Sequence, residues 1–167
     1  MYGEDFIAVY VPKRIVDEIR RRSLDVESFI VDSIVRELKL DPSVEFEVHV
    51  ELARRFLEEG KALVDKDPVQ ASEKLYKAAE EAIKALVIKH GITEIIDRVR
   101  ERDRWKTEDF FDAINVLNNI YGDDTRRWWS TAWTLHVWGF HEAKATREFV
   151  KASIQDIEQL VKLTSKT

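Results

Sequence analysis

Apolar positions follow two different rhythms along the chain. In FIAVYV (6–11), β-branched and aromatic residues run together as far as Pro12, which is the signature of one short strand. Beyond it the spacing is helical. Pro12 suits the first turn of a helix, where its missing N–H is harmless. Ile15, Val16 and Ile19 then recur at helical pitch up to the basic end Arg20, Arg21 and Arg22, which favours a helix C-terminus. Asp25 is placed to cap a second helix with Phe29, Ile30, Ile34 and Leu38 on one face, and DPS (41–43) stops it. A third apolar series, 44–65, contains Phe46, Val50, Ala53, Phe56, Leu57 and Leu63, with Gly60 as a mild interruption. The fourth, from Pro68 to Gly91, carries Ala71, Leu75, Ala78, Ala79, Ala82, Ile83, Leu86 and Val87. Its small residues allow a neighbouring helix to approach closely. A weaker series covers 92–105, and another begins at Thr107 with Phe110, Phe111, Ile114, Leu117 and Ile120 before Gly122. Asp123 and Asp124 open TRRWWSTAWTLHVWGFHEAKATREF (125–149), and a last helix is expected over 142–163. The expectation is all-α: an up-down bundle of four or five helices over 43–167, preceded over 1–42 by one β-strand and two helices.

A strand and two helices in about 40 residues cannot bury enough surface alone, and a lone strand leaves its backbone groups unpaired. Pairing with the same strand of a second copy solves both problems. The strand running into proline, then IVDEI and DVESFIVDSIVREL, resembles the ribbon-helix-helix family over about a quarter of the chain. In that family paired strands often enter the DNA major groove, where base readout takes Arg, Lys, Asn, Gln or Thr. With Ile7, Val9 and Val11 turned inward, the outward residues are Phe6, Ala8 and Tyr10, after Glu4 and Asp5. None of these suits a base edge. The segment is therefore expected to be a homo-oligomerisation clasp, with duplex DNA not its ligand.

Composition sharpens this picture. The 167 residues are 35% charged, carry a net charge of −5, and include five glycines and three prolines, as expected of a soluble, helix-rich protein. The acidic balance removes a general affinity for polyanions but leaves room for a local basic patch. With no cysteine, disulfides, thiolate metal sites and cysteine nucleophiles are excluded. Neither a signal peptide nor a run of roughly 18 apolar residues is present, so a cytoplasmic protein without a membrane span is expected. Abundant Glu, Lys and Arg with a single methionine resembles thermophile usage.

Candidate chemistry concentrates in 125–149, which holds four of the five tryptophans and two of the four histidines. ASEKLYKAAEEAIKAL (71–86) followed by LHVWGFHEA (135–143) resembles the archaeal PaREP-type proteins, a group within the HEPN superfamily of helical bundles. The likeness runs from Val44 to the C-terminus. Many HEPN proteins are metal-independent ribonucleases of toxin–antitoxin or defence systems. Their motif is an arginine, four to six residues, then a histidine, paired across a dimer; others accompany a nucleotidyltransferase. Here histidine stands in the arginine's place: His136 and His141 are separated by VWGF, whereas Arg127 and His136 have eight residues between them. Two imidazoles suffice for RNA cleavage in principle, one taking the 2′-hydroxyl proton and one protonating the leaving oxygen. Because the arginine is missing, the first expectation is a homo-oligomeric nucleic-acid- or nucleotide-binding or regulatory partner protein; the alternative is a metal-independent ribonuclease with His136 and His141 as the candidate catalytic pair. Arg126, Arg127 and Glu142 are the candidate nucleic-acid or nucleotide contacts. No HExxH or comparable constellation exists, so neither a metal nor another cofactor is expected.

On an unbroken α-helix, residues five apart point about 140° away from one another. Trp129, Trp133, His136 and Phe140 would form one stripe and His141 would join Val137, Trp138 and Ala145. The tryptophans are expected to be core rather than a base-stacking platform. Whether the histidines share a cleft thus turns on a distortion at Gly139. In DRVRERDRWK (97–106), alternating arginines and acids form a salt-laced segment that is also the best local RNA-contacting patch.

Overall fold

A computed structural model describes residues 5–166. In chain order the helices are α1 (Lys13–Arg21), α2 (Val26–Leu38), α3 (Pro42–Leu63), α4 (Pro68–Lys89), α5 (Thr93–Arg102), α6 (Thr107–Tyr121), α7 (Asp124–Thr134), a π-helical segment (Leu135–His141) and α8 (Arg147–Leu163). None is long and apolar enough to cross a membrane. The start signals act as their chemistry dictates. Pro42 and Pro68 occupy first-turn positions of α3 and α4. The side chains of Asp25, Asp67 and Thr146 accept from the backbone N–H of Ser28, Gln70 and Phe149, satisfying donors that a helix start otherwise leaves open.

Helix α4 is the centre of the bundle. Ala71, Leu75, Ala78, Ala79, Ala82, Ile83 and Leu86 are wholly buried, and α3, the π-helical segment and α8 lie around it. Small residues bring the neighbours in close. A Cβ on Gly60 would stand 2.7 Å from Leu75 Cγ, so glycine is what lets α3 and α4 meet at that level. Trp129, Leu135, Val150, Ile157 and Leu160 complete the core from the other side.

Two expectations need correction. Residues 6–11 form no strand. The reason is the one that makes the pattern suggestive: among the described residues no second strand meets these backbone groups. Nor do alternating faces appear, since all of 7–11 is exposed. Phe6 packs against the core under the Arg55 guanidinium, 4.8 Å from its ring centre, while Ile7 is 88% and Val9 78% exposed. The last helix begins at Arg147 rather than 142, because Ala143 adopts a left-handed backbone (φ 52°) and Thr146 caps the restart.

Charged contacts tie α2 to the bundle. Glu27 pairs with Arg55, Asp32 accepts from Lys84 at 2.9 Å, and Arg36 donates to the Asp103 carbonyl at 2.6 Å. Large exposed apolar side chains gather at this end of the molecule, including Ile7, Val9, Tyr10, Ile15, Ile34 and Leu38.

Candidate functional site

The segment LHVWGFH is not α-helical. Its backbone closes by longer bonds, Glu142 N to Val137 O at 2.9 Å and Lys144 N to Trp138 O at 3.0 Å. The first of these spans five residues and the second six; i→i+5 pitch brings residues five apart toward one face, which removes the divergence an α-helix would impose. His136 Nε2 and His141 Nε2 consequently lie 3.1 Å apart, with their rings nearly perpendicular.

Gly139 contributes through its missing side chain. A Cβ there would lie 2.5 Å from Ser72 Oγ and 2.7 Å from Ser72 Cβ, so only glycine lets the π-helical segment rest on the first turns of α4. Ser72 Oγ itself donates to Pro68 O at 2.8 Å. That close approach brings the next residues of α4 against the histidines. Glu73 Oε2 is 3.0 Å from His136 Nδ1, and the Tyr76 ring stacks on His136 at 4.0 Å between centroids.

The hydrogen-bond roles follow from the donor inventory. An ionised carboxylate only accepts, so His136 Nδ1 carries the proton shared with Glu73. With His136 neutral, its Nε2 accepts from His141 Nε2–H; with His136 doubly protonated, it donates to both neighbours. A proton can thus pass along Glu73, His136 and His141 from a half-buried end to an exposed one. Burial pushes the Tyr76 phenol far above its ordinary value, with Glu80 and Glu73 adding to the effect, so this ring stacks as a neutral, protonated phenol.

The other sequence candidates lie elsewhere. Arg127 pairs with Asp124 and with Asp156 of α8; Arg126 donates to Asn115 of α6 at 3.4 Å. Nine residues of helix place Arg127 about 13 Å along the axis from His136. Glu142 pairs with Lys144 and does not join the histidines. Trp128 and Trp129 are buried as expected, but Trp138 is 36% exposed and packs edge-on against Phe149. Glu73 is the site residue that sequence reasoning missed. Nothing in SEKLYK distinguishes it from its acidic neighbours, since its role depends on which face of α4 receives the π-helical segment.

A second charged group lies deep between α2, α3 and α4. His49 Nδ1 is 2.6 Å from Glu81 Oε2, and Lys84 Nζ donates at 2.9 Å to both Glu81 Oε1 and Asp32 Oδ2. Burial alone would raise the Glu81 carboxyl, but Lys84 and His49 overcome it and hold it at about 2. Burial likewise opposes charge on Lys84, and Asp32 and Glu81 outweigh it, raising its ammonium well above the usual range. Asp32, His49 and Glu81 place ligand-type atoms within 4.8 Å of one another. The Lys84 ammonium, however, already sits between the two carboxylates and bonds to both, so the group is a buried ionic lock. A sequence signal existed here: Ala78 and Ala85 flank Glu81 at helical spacing, marking position 81 as part of the buried face.

Together the fold and the site define a class: an all-helical bundle bearing a carboxylate-backed histidine pair on a π-helical turn. The chain belongs to the archaeal PaREP1/PaREP8 family, whose model matches residues 48–161. It is similar to a crystal structure of a Sulfolobus solfataricus protein at 42% identity, with a TM-score of 0.65, covering 68% of this chain and 93% of that one. A solution structure of the same Sulfolobus target gives 42% identity and a TM-score of 0.54 over 72% of this chain and 88% of that one. No functionally curated protein matches.

Proposed function

We propose that this chain is a homo-oligomeric, HEPN-like RNA-processing protein in which His136 and His141 perform metal-independent acid–base chemistry on a phosphodiester. The observation carrying this reading is the 3.1 Å approach of the two Nε2 atoms with Glu73 on the far nitrogen of His136. Glu73 fixes the ring's orientation and its tautomer. One imidazole takes the 2′-hydroxyl proton and the 2′-oxygen attacks phosphorus. The other donates a proton to the departing 5′-oxygen, leaving a 2′,3′-cyclic phosphate and a 5′-hydroxyl. Substrate oxygens would replace the direct contact between the rings. Lys144, three residues beyond His141 and paired with Glu142, is the cation nearest in sequence that could meet the phosphorane charge. A second copy, joined through the apolar N-terminal residues, would bring further cations to the site. Exposed Ile7, Val9 and Tyr10 support that assembly, since contiguous apolar surface of this kind marks interaction sites.

The test is incubation of the purified protein with structured RNA in the presence of a chelator. Cleavage to cyclic-phosphate ends, abolished by His141→Ala and strongly reduced by Glu73→Gln, supports the reading. RNA left intact by the native protein refutes it. That result would favour the second reading, a non-catalytic regulatory partner, for instance of a nucleotidyltransferase. The observation behind that alternative is that both Arg126 and Arg127 are engaged away from the histidines.

A further inference from the structure

A cavity of about 420 Å³ opens between α2, α3 and α5. Its size falls within the range of small-molecule sites. Val35, Leu40, Val99 and Trp105 supply apolar wall, and His49 and Asp32 of the ionic lock reach it as well.

The charges around it are not balanced. Arg36 is paired with Asp103, and Asp32 with Lys84. Lys39, Arg100 and Arg104 line the cavity, but their side chains form no ion pair or hydrogen bond among the described residues; the unpaired acid on the described wall is Glu45. Three free cations against one carboxylate leave a local excess of positive charge in a chain whose net charge is −5. The origin of this excess is the helical period of DRVRERDRWK. Arg98 and Arg102, four apart, turn to α6 and bind Asp109, Asp112 and Glu108. Arg100 and Arg104, also four apart, face the cavity instead. A second cavity, about 200 Å³, adjoins across the Arg36–Asp103 pair and shares Arg104 and Trp105. Ser28, one of its lining residues, has a buried hydroxyl with no hydrogen-bond partner, an arrangement that proteins rarely leave unsatisfied.

We propose that this cavity is a binding site for a nucleoside phosphate. Lys39, Arg100 and Arg104 take the phosphate, while Trp105 and the Val35–Val99 wall receive the base. Guanidinium groups suit phosphate by geometry as well as charge. A flat, partly apolar body is what the remaining wall selects, since a bare anion would leave it dry and unfilled. The site is independent of the histidine pair and spans the junction of α2 with the bundle, so its occupation would clamp the two together.

The test is titration of the full chain with AMP, adenosine and inorganic phosphate, followed by calorimetry and tryptophan fluorescence. AMP is expected to bind at least tenfold more tightly than either fragment, and to raise the melting temperature. Arg100→Ala/Arg104→Ala should weaken it by tenfold or more; both side chains are exposed and unpaired, so the fold should survive, as checked by circular dichroism. His141→Ala should bind AMP as the native protein does, even if it abolishes RNA cleavage. The proposal is overturned if phosphate binds as well as AMP, if the double variant retains full affinity, or if His141→Ala removes binding.

Discussion

Replacing Gly139 by alanine tests how the histidine pair is built. The new methyl group would start 2.5 Å from Ser72 Oγ and 2.7 Å from Ser72 Cβ. Ordinary contact between such atoms begins near 3.5 Å, so the π-helical segment must withdraw from α4 by about 1 Å. The His136–Glu73 bond is 3.0 Å long; the same withdrawal carries it beyond hydrogen-bonding range. Overpacking of this kind costs about 1–3 kcal/mol, which for a domain of this size lowers the melting temperature by about 2–12 °C. Thermal unfolding followed by circular dichroism measures the first effect, and the imidazole nitrogen shifts of His136 in NMR measure the second. Ser72→Gly removes both offending atoms at a helix-propensity cost of about 1 kcal/mol. The Ser72→Gly/Gly139→Ala pair should therefore restore the His136 shifts that Gly139→Ala alone disturbs. A Gly139→Ala protein with native melting and unaltered His136 resonances would refute the reasoning. If the pair is catalytic, a displacement near 1 Å should also lower cleavage by on the order of 100-fold.

Lys84→Met strands the buried Glu81 carboxylate, and breaking a buried pair in this way costs about 3–5 kcal/mol; a melting temperature within 2 °C (~0.5–1 kcal/mol) of native would contradict the lock. Because the folded Glu81 carboxyl is held at about 2, below its ordinary 4.5, its contribution is present above pH 4.5 and is lost as pH falls toward 2. Stability measured by urea titration should decline through that window, and Glu81→Gln should flatten the decline. Asp109 is fully buried and accepts from Arg98, Arg102 and the Lys106 backbone N–H; Asp109→Ala should destabilise α5 against α6, read as faster amide exchange in 93–106. Ile7→Lys/Val9→Lys places charges on the exposed apolar segment and should shift the species seen by sedimentation from oligomer to monomer without altering the melting of the bundle.

The helices were legible because burial writes a period into the chain. Ala71, Leu75, Ala78, Ala82 and Ile83 recur as the face of α4 requires, and Pro68, Asp25 and Thr107 mark starts that local chemistry alone decides. The conformation of 6–11 was not: FIAVYV has the residues of a strand, but β-structure also needs a partner strand, and none meets it among the described residues. The tryptophans divided for a similar reason. Trp129 lies on the stripe that packs, whereas Trp138 follows the change of pitch in the π-helical segment and emerges at the surface.

By itself, then, the sequence determined the bundle, its caps and the two histidines with Gly139 between them. Tertiary structure decided what those residues do. Only the closeness of α4 reveals that Gly139 serves by having no side chain opposite Ser72, and only the i→i+5 bonding turns a five-residue spacing into a contact. Glu73, 63 residues before His136, could join it only through packing. The arginines of DRVRERDRWK likewise separate into a structural pair and a free pair once α6 and the cavity lie on opposite sides of α5. Local spacing fixes which face of a helix a residue occupies; the identity of the surface opposite is a property of the assembled fold.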